Sequence, residues 1–144
     1  MMKREMKFFD MARAVSKTST YIRVKIGAVI VSKKQIISVG TNVRKSHPLQ
    51  KRLNRFRSIN VDNMAHSLHA EINAIIRANE DLTNTQIYVY REDQNGNLAN
   101  CRPCAACMQE IKKVGIKTIY YTTSDGYCRE DLSNIDDVHK LISA

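Results

Sequence analysis

The 144-residue chain has no run of about 18 uncharged apolar residues, so no segment is expected to span a bilayer. It does not open like a secreted protein either. After Met1-Met2-Lys3-Arg4, the apolar run that a signal peptide needs is broken by Asp10 and Arg13. A cytoplasmic location is therefore expected. Only two prolines and five glycines are present, with no Gly/Ser/Pro-rich linker, repeat or low-complexity tract. Residues 1–144 are thus expected to form a single domain. Acidic residues are scarce: 14 Asp+Glu stand against 23 Lys+Arg, for a formal net charge of +9. That balance suits an anionic partner such as a phosphorylated small molecule, a nucleic acid or an acidic surface. Cysteine is confined to Cys101, Cys104, Cys107 and Cys128. Three of these recur at every third position, and without a secretion signal such a cluster favours metal binding over a disulfide framework.

Hydrophobic spacing supplies the elements. Phe8, Met11, Ala12 and Val15 recur at helical intervals within residues 4–17. Residues 26–31 and 35–39 are β-rich and flank the polar break Ser32-Lys33-Lys34, which predicts a hairpin over 26–40. Residues 41–66 have no clear period and read as a long loop. Leu68 to Ala78 predict a helix with Ile72, Ile75 and Ile76 inward, and Ile87 to Tyr90 a strand. A turn at Asp93 to Asn97 leads to Pro103, which suits the first turn of a helix running to Gly115. Ile116 to Thr123 predict a further strand, and Asn134 a cap for a last helix through Val138, Leu141 and Ile142. This order predicts an α/β fold, a three-layer α/β/α sandwich around one mixed sheet of about five strands.

The chemistry lies in two short motifs, His69-Ala70-Glu71 and Pro103-Cys104-Ala105-Ala106-Cys107. Thiols at i and i+3 share one helix face, so Cys104 and Cys107 can grip one ion, and a helix N-terminus favours their thiolate forms. His69 offers an imidazole. Zinc prefers four ligands, so this three-residue set leaves one position for water, whose pKa the metal lowers to about 7. Glu71 need not join the metal and can carry a proton. Such a centre hydrolyses a C–NH2 group on an electron-poor ring. Three other readings compete: a closed structural Cys3His zinc site that includes Cys101, a redox Cys-x-x-Cys, and an iron–sulfur cluster completed by Cys128.

The combination His-x-Glu with Pro-Cys-x-x-Cys is the zinc signature of nucleobase deaminases. From about Ala12 to Thr122 the sequence resembles the cytidine/deoxycytidylate deaminase superfamily. Ile26 to Val31 is similar to the family's first strand, Gly40-Thr41-Asn42 to its Gly-x-Asn, and His69 to Ile75 to its His-Ala-Glu helix. The resemblance implies the cytidine deaminase-like fold and a Zn2+ cofactor held by His69, Cys104 and Cys107, with Glu71 as proton shuttle. It further implies that Asn42 holds the sugar or base, that Ala70 presents backbone groups to the base edge, and that Tyr121 is the aromatic at the end of the fourth strand. Assembly into a homo-oligomer is expected on the same basis. The sequence departs from the deoxycytidylate pattern twice. Gly-Tyr-Asn-Gly is replaced by Gly40-Thr41-Asn42-Val43, and Thr-x-x-Pro-Cys by Cys101-Arg102-Pro103-Cys104.

Substrate class rests on charge. Arg44, Lys45, Lys51, Arg52, Arg55 and Arg57 crowd residues 41–61, which hold no Asp or Glu. A basic loop beside the zinc motif points to phosphate, with Arg52 and Arg55 as candidate contacts. The favoured reading is deamination of a free cytosine nucleotide, dCMP to dUMP with release of ammonia. The alternatives are a deaminase acting on a base in single-stranded DNA or RNA, tRNA included, and a non-catalytic zinc-binding module that binds nucleic acid.

Overall fold

The computed structural model describes residues 3–21, 23–44, 47–54, 68–133 and 140–142. Its centre is the strand β1 (Ile26–Ser32), in which five consecutive residues are buried. A strand buried on both faces needs a layer on each side. The first layer is α1 (Lys3–Ser16), which places Phe8, Phe9 and Ala12 against Val29, Val31, Tyr88 and Tyr120. Rings dominate this layer: Tyr88 and Tyr120 stack at 4.2 Å, and Phe9 meets Tyr88 edge-on at 5.3 Å. The helical spacing predicts Met11 inward, but Met11 is exposed and the fully buried residue is Phe9.

β2 (Gln35–Thr41) returns antiparallel to β1 through Lys33 and Lys34. Both turn residues have positive φ, 50° and 68°, as a twisted two-residue hairpin turn requires. On the second face lies α3 (Ala70–Ala78), whose Ile72, Ala74 and Ile75 pack with Ala28, Ile30, Ile87, Val89 and Ile119. Beside it, α4 (Ala105–Lys113) contributes Ala106, Met108 and Ile111 to the same core. β3 (Gln86–Arg91) and β4 (Thr118–Thr123) form the one parallel pair among the described residues, in a sheet that runs β2-β1-β3-β4 and then β5 (Gly126–Asp131) and β6 (Lys140–Ile142). The three-layer mixed α/β architecture is thus as expected, with six strands.

Two expectations are corrected. Within the segment read as loop, Pro48–Asn54 forms a two-turn helix, α2. It opens on Pro48, and His47 Nδ1 accepts the N–H of Leu49 at 3.1 Å. A helix this short shows too few apolar positions for a period to be seen. The second correction is at the C-terminal end. Among the described residues, β5 (Gly126–Asp131) folds back on β4, and Leu141 and Ile142, expected in a helix, lie instead in β6 (Lys140–Ile142), which pairs with β5; both pairings are antiparallel. Residues 134–139, including Asn134 and Val138, lie outside the described residues. Leu141 and Ile142 extend the sheet along the open edge of β5, whose backbone would otherwise be unpaired.

α3 approaches β2 closely because Gly40 lacks a side chain. A Cβ there would stand 2.4 Å from the Ala74 nitrogen and 2.8 Å from the Ala70 oxygen. The Ser38 hydroxyl seals the contact by donating to the Ala74 carbonyl at 2.7 Å, and Asn73 Nδ2 donates to the Thr41 carbonyl at 2.9 Å. Gly40→Ala must displace α3, with an expected loss of about 2–3 kcal/mol in urea unfolding. Gly96→Ala meets nothing within 4 Å and bears only its left-handed backbone, φ +84°, so about 1–2 kcal/mol is expected there. Equal losses for the two variants would contradict the close approach.

Candidate active site

His69 stands at the N-cap of α3 in extended conformation, φ −76° and ψ 154°. Two contacts fix it there. Val43 and Leu68 exchange backbone hydrogen bonds at 2.9 and 3.0 Å, which closes the base of the long excursion between them. From α2, Gln50 Oε1 accepts the His69 N–H at 3.0 Å. Gln50 is fully buried and also hydrogen-bonds the Cys107 thiol. Sequence reasoning missed Gln50. A lone glutamine among six cations carries no local signal, and only the fold of α2 brings it inward.

Cys104 is the N-cap of α4, with φ −65° and ψ 165°, rather than a residue of its first turn. Its carbonyl accepts the first helical bond, from Met108 N–H at 2.8 Å. Pro103 therefore sits just outside the helix, where its fixed φ aims the chain into the cap. The N-termini of α3 and α4 meet, and each brings the positive end of its dipole. His69, Cys104 and Cys107 each offer a donor atom, and the three atoms lie within 4.8 Å of one another. His69 Nδ1 is 3.2 Å from Cys107 Sγ.

The two thiols divide one proton. The hydrogen bond from Cys107, helped by His69, holds Cys104 well below the usual thiol range, to about 4, despite its burial. That same bond, with burial and the nearby Glu71 charge, raises Cys107 well above it. Two sulfurs and one imidazole nitrogen are a donor set compatible with Zn2+, with one of its four positions unclaimed.

Cys101 does not belong to this group. Its buried thiol donates to the Val89 carbonyl at 3.2 Å and lies 3.1 Å from Thr122 Oγ1, and burial pushes it up to about 12. The closed Cys3His reading therefore fails on geometry. Cys128 lies on β5 in the core, away from the three donors, so the iron–sulfur reading fails likewise.

Glu71, in the first turn of α3, is 5% exposed. Its charge is felt at both Cys101 and Cys107, which places it beside the donor triangle. The remaining predicted residues are dispersed. Asn42 is fully buried, with its amide directed to protein. Oδ1 accepts from Ser19 Oγ at 2.7 Å and from Ile26 N–H at 2.9 Å, and Nδ2 donates to the Val24 carbonyl at 2.7 Å. Ala70 is buried between His69 and Glu71. Tyr121 is 1% exposed and donates its hydroxyl to Glu130 Oε2 at 2.7 Å. Arg52 is exposed on α2, two residues from Gln50, whereas Arg55 lies outside the described residues.

The model of the cytidine and deoxycytidylate deaminase zinc-binding region matches residues 2–123. The chain belongs to this deaminase family. Among curated proteins it is 31% identical over 119 residues to an uncharacterized deaminase in the luxG 3′ region of Aliivibrio fischeri, covering 79% of this chain and 69% of that one. It is 29% identical over 117 residues to ComE operon protein 2 of Bacillus subtilis (strain 168), covering 79% of this chain but only 56% of that one. Among solved structures, the dCMP deaminase of cyanophage S-TIM5 in apo form superposes with a TM-score of 0.59 at 22% identity, over 84% of each chain. The cytidine deaminase of Burkholderia pseudomallei gives 0.59 at 18% identity, over 91% of this chain and 93% of that one. At such identities the structures establish the fold. Within this deaminase fold, metal content separates the cysteines. Cys101→Ser should keep about one zinc per chain, whereas Cys104→Ala and Cys107→Ala should lose it in elemental analysis of the purified proteins.

Proposed function

We propose that the chain hydrolyses the exocyclic amine of a cytosine nucleotide, dCMP to dUMP, with His69, Cys104 and Cys107 holding zinc and Glu71 carrying the proton. The observation that carries this reading is the donor triangle with a buried carboxylate two residues beyond His69. Zinc, when bound, supplies the Lewis acidity that makes water nucleophilic at neutral pH. Glu71 takes a proton from the attacking water and delivers it to the departing amine, so that C–NH2 and water become C=O and ammonia. The backbone of Ala70, flanked by ligand and base, is assigned to the edge of the ring. Asn42 and Tyr121, proposed from the family resemblance as substrate contacts, instead direct their polar groups to protein. Gln50 fixes the His69 backbone and hydrogen-bonds Cys107, so the imidazole and one sulfur are set by the same amide.

Phosphate recognition is assigned to Arg52 and Arg55. The supporting facts are the exposure of Arg52 on α2 and the absence of acidic residues from 41–61. The S-TIM5 dCMP deaminase has been solved in complex with dCMP and dUMP, and its fold matches with a TM-score of 0.57. The reading also takes the chain as a single domain that assembles into a homo-oligomer.

Glu71→Gln should cut ammonia release from dCMP by about 10²–10⁴-fold while zinc content is retained; full activity would remove Glu71 from its role. Arg52→Ala combined with Arg55→Ala should raise KM for dCMP more than for deoxycytidine, and equal effects would take phosphate away from this loop. The wild type should also prefer dCMP to CMP and to single-stranded DNA or RNA oligomers. A mass shift confined to the oligomers would replace the nucleotide by the polynucleotide.

A further inference from the structure

Arg102 stands just ahead of Pro103-Cys104, and its side-chain partners lie on a strand remote in sequence. Its guanidinium grips Glu130 of β5 through two bonds, Nε to Oε2 at 2.7 Å and Nη2 to Oε1 at 3.1 Å. Glu130 is 5% exposed, and its Oε2 also accepts the Tyr121 hydroxyl of β4 at 2.7 Å. The preceding residue is tied to the same strand: Cys101 N–H donates to the Thr122 carbonyl at 3.0 Å. Only Pro103, with its fixed φ, separates this anchored pair from Cys104, the cap of α4.

A carboxylate on β5 is a costly way to fill a core. Glu130 is buried but the Arg102 side chain is 47% exposed, so the pair lies at the edge of the solvent and contributes little as stability alone. What a two-bond Arg–carboxylate fork provides is direction, because both groups are planar and the geometry admits little play. The tyrosine hydroxyl then fixes the carboxylate plane. The fork therefore ties the loop that delivers Cys104 to the last third of the sheet, far along the chain from His69.

We propose that the Arg102–Glu130–Tyr121 network is a brace that sets the position of Cys104 and so the affinity of the site for its metal. Arg102 and Glu130 act as positioning residues. The inference rests on the zinc reading above and deepens it. It accounts for the departure Cys101-Arg102-Pro103-Cys104: one residue of this stretch is bound to β4, the next to β5, and the third hands a fixed direction to the ligand.

The test is chelator competition on the zinc-loaded proteins, together with the visible spectrum of the cobalt-substituted forms. Arg102→Ala should surrender zinc at a chelator concentration about 10–100-fold lower than wild type, the range seen when partners of metal ligands are removed. Its thiolate-to-cobalt band should shift. Arg102→Lys keeps the charge but cannot form the fork, and should fall between the two; with Glu130→Gln it decides the matter should Arg102→Ala fail to fold. Arg13→Ala, which breaks the exposed pair with Glu92, serves as control and should match wild type in both readouts. Wild-type zinc retention and spectrum in Arg102→Lys and Glu130→Gln, with only a lowered Tm, would overturn the brace. A wild type that holds no zinc would overturn the zinc reading and the brace together.

Discussion

Two thiols and an imidazole meet at one largely buried point with the buried Glu71 carboxylate nearby, and such a meeting is expensive. Each group loses water, and unpaired buried charges are tolerated only when something of opposite sign is present. Two features answer this cost in the structure. The N-termini of α3 and α4 point together, so their unsatisfied N–H groups and positive dipole ends surround the site. The two thiols bond to one another, which lowers Cys104 and raises Cys107. The rest of the fold can be understood as the means of bringing these two helix ends to one place and keeping them there.

α3 is placed by the sheet. It lies directly on β2 because position 40 is glycine, and it is bonded through Ser38 and Asn73 to the same strand. Its first residue is held by the Val43–Leu68 exchange and by Gln50. α4 is placed from the opposite edge, through Cys101 on β4 and Arg102 on β5. Of the two candidate phosphate contacts, Arg52 is exposed on α2. α1 and its tyrosine-rich contacts cover the other face of the sheet and take no part in the site.

Most of the site was legible in the sequence because its chemistry is local. Cys104-x-x-Cys107 has the spacing that brings two thiols to one side, whereas the two-residue spacing of His69 and Glu71 does not, and their roles followed from the family resemblance. The strands through β4 were legible for the same reason. What was not legible depends on distant contacts. Gln50 is inconspicuous until α2 turns it inward. Cys101 has a ligand's spacing, but Val89 and Thr122 claim its thiol from strands remote in sequence. Asn42 fits a family pattern, yet its amide meets Ser19, Val24 and Ile26. β5 ends in the charged run Arg129-Glu130-Asp131, and the open edge of β4 makes it a strand. Glu130 on that strand gives no sequence sign of pairing with Arg102.

The central claim is that the centre is built by three residues of this chain, with Cys101 excluded and one position left for water. Zinc K-edge X-ray absorption of the purified protein tests it most directly. The account predicts two sulfur neighbours at about 2.3 Å, one nitrogen at about 2.0–2.1 Å and one further light atom. A fit requiring three sulfurs would return Cys101 to the metal and make the centre a closed structural site.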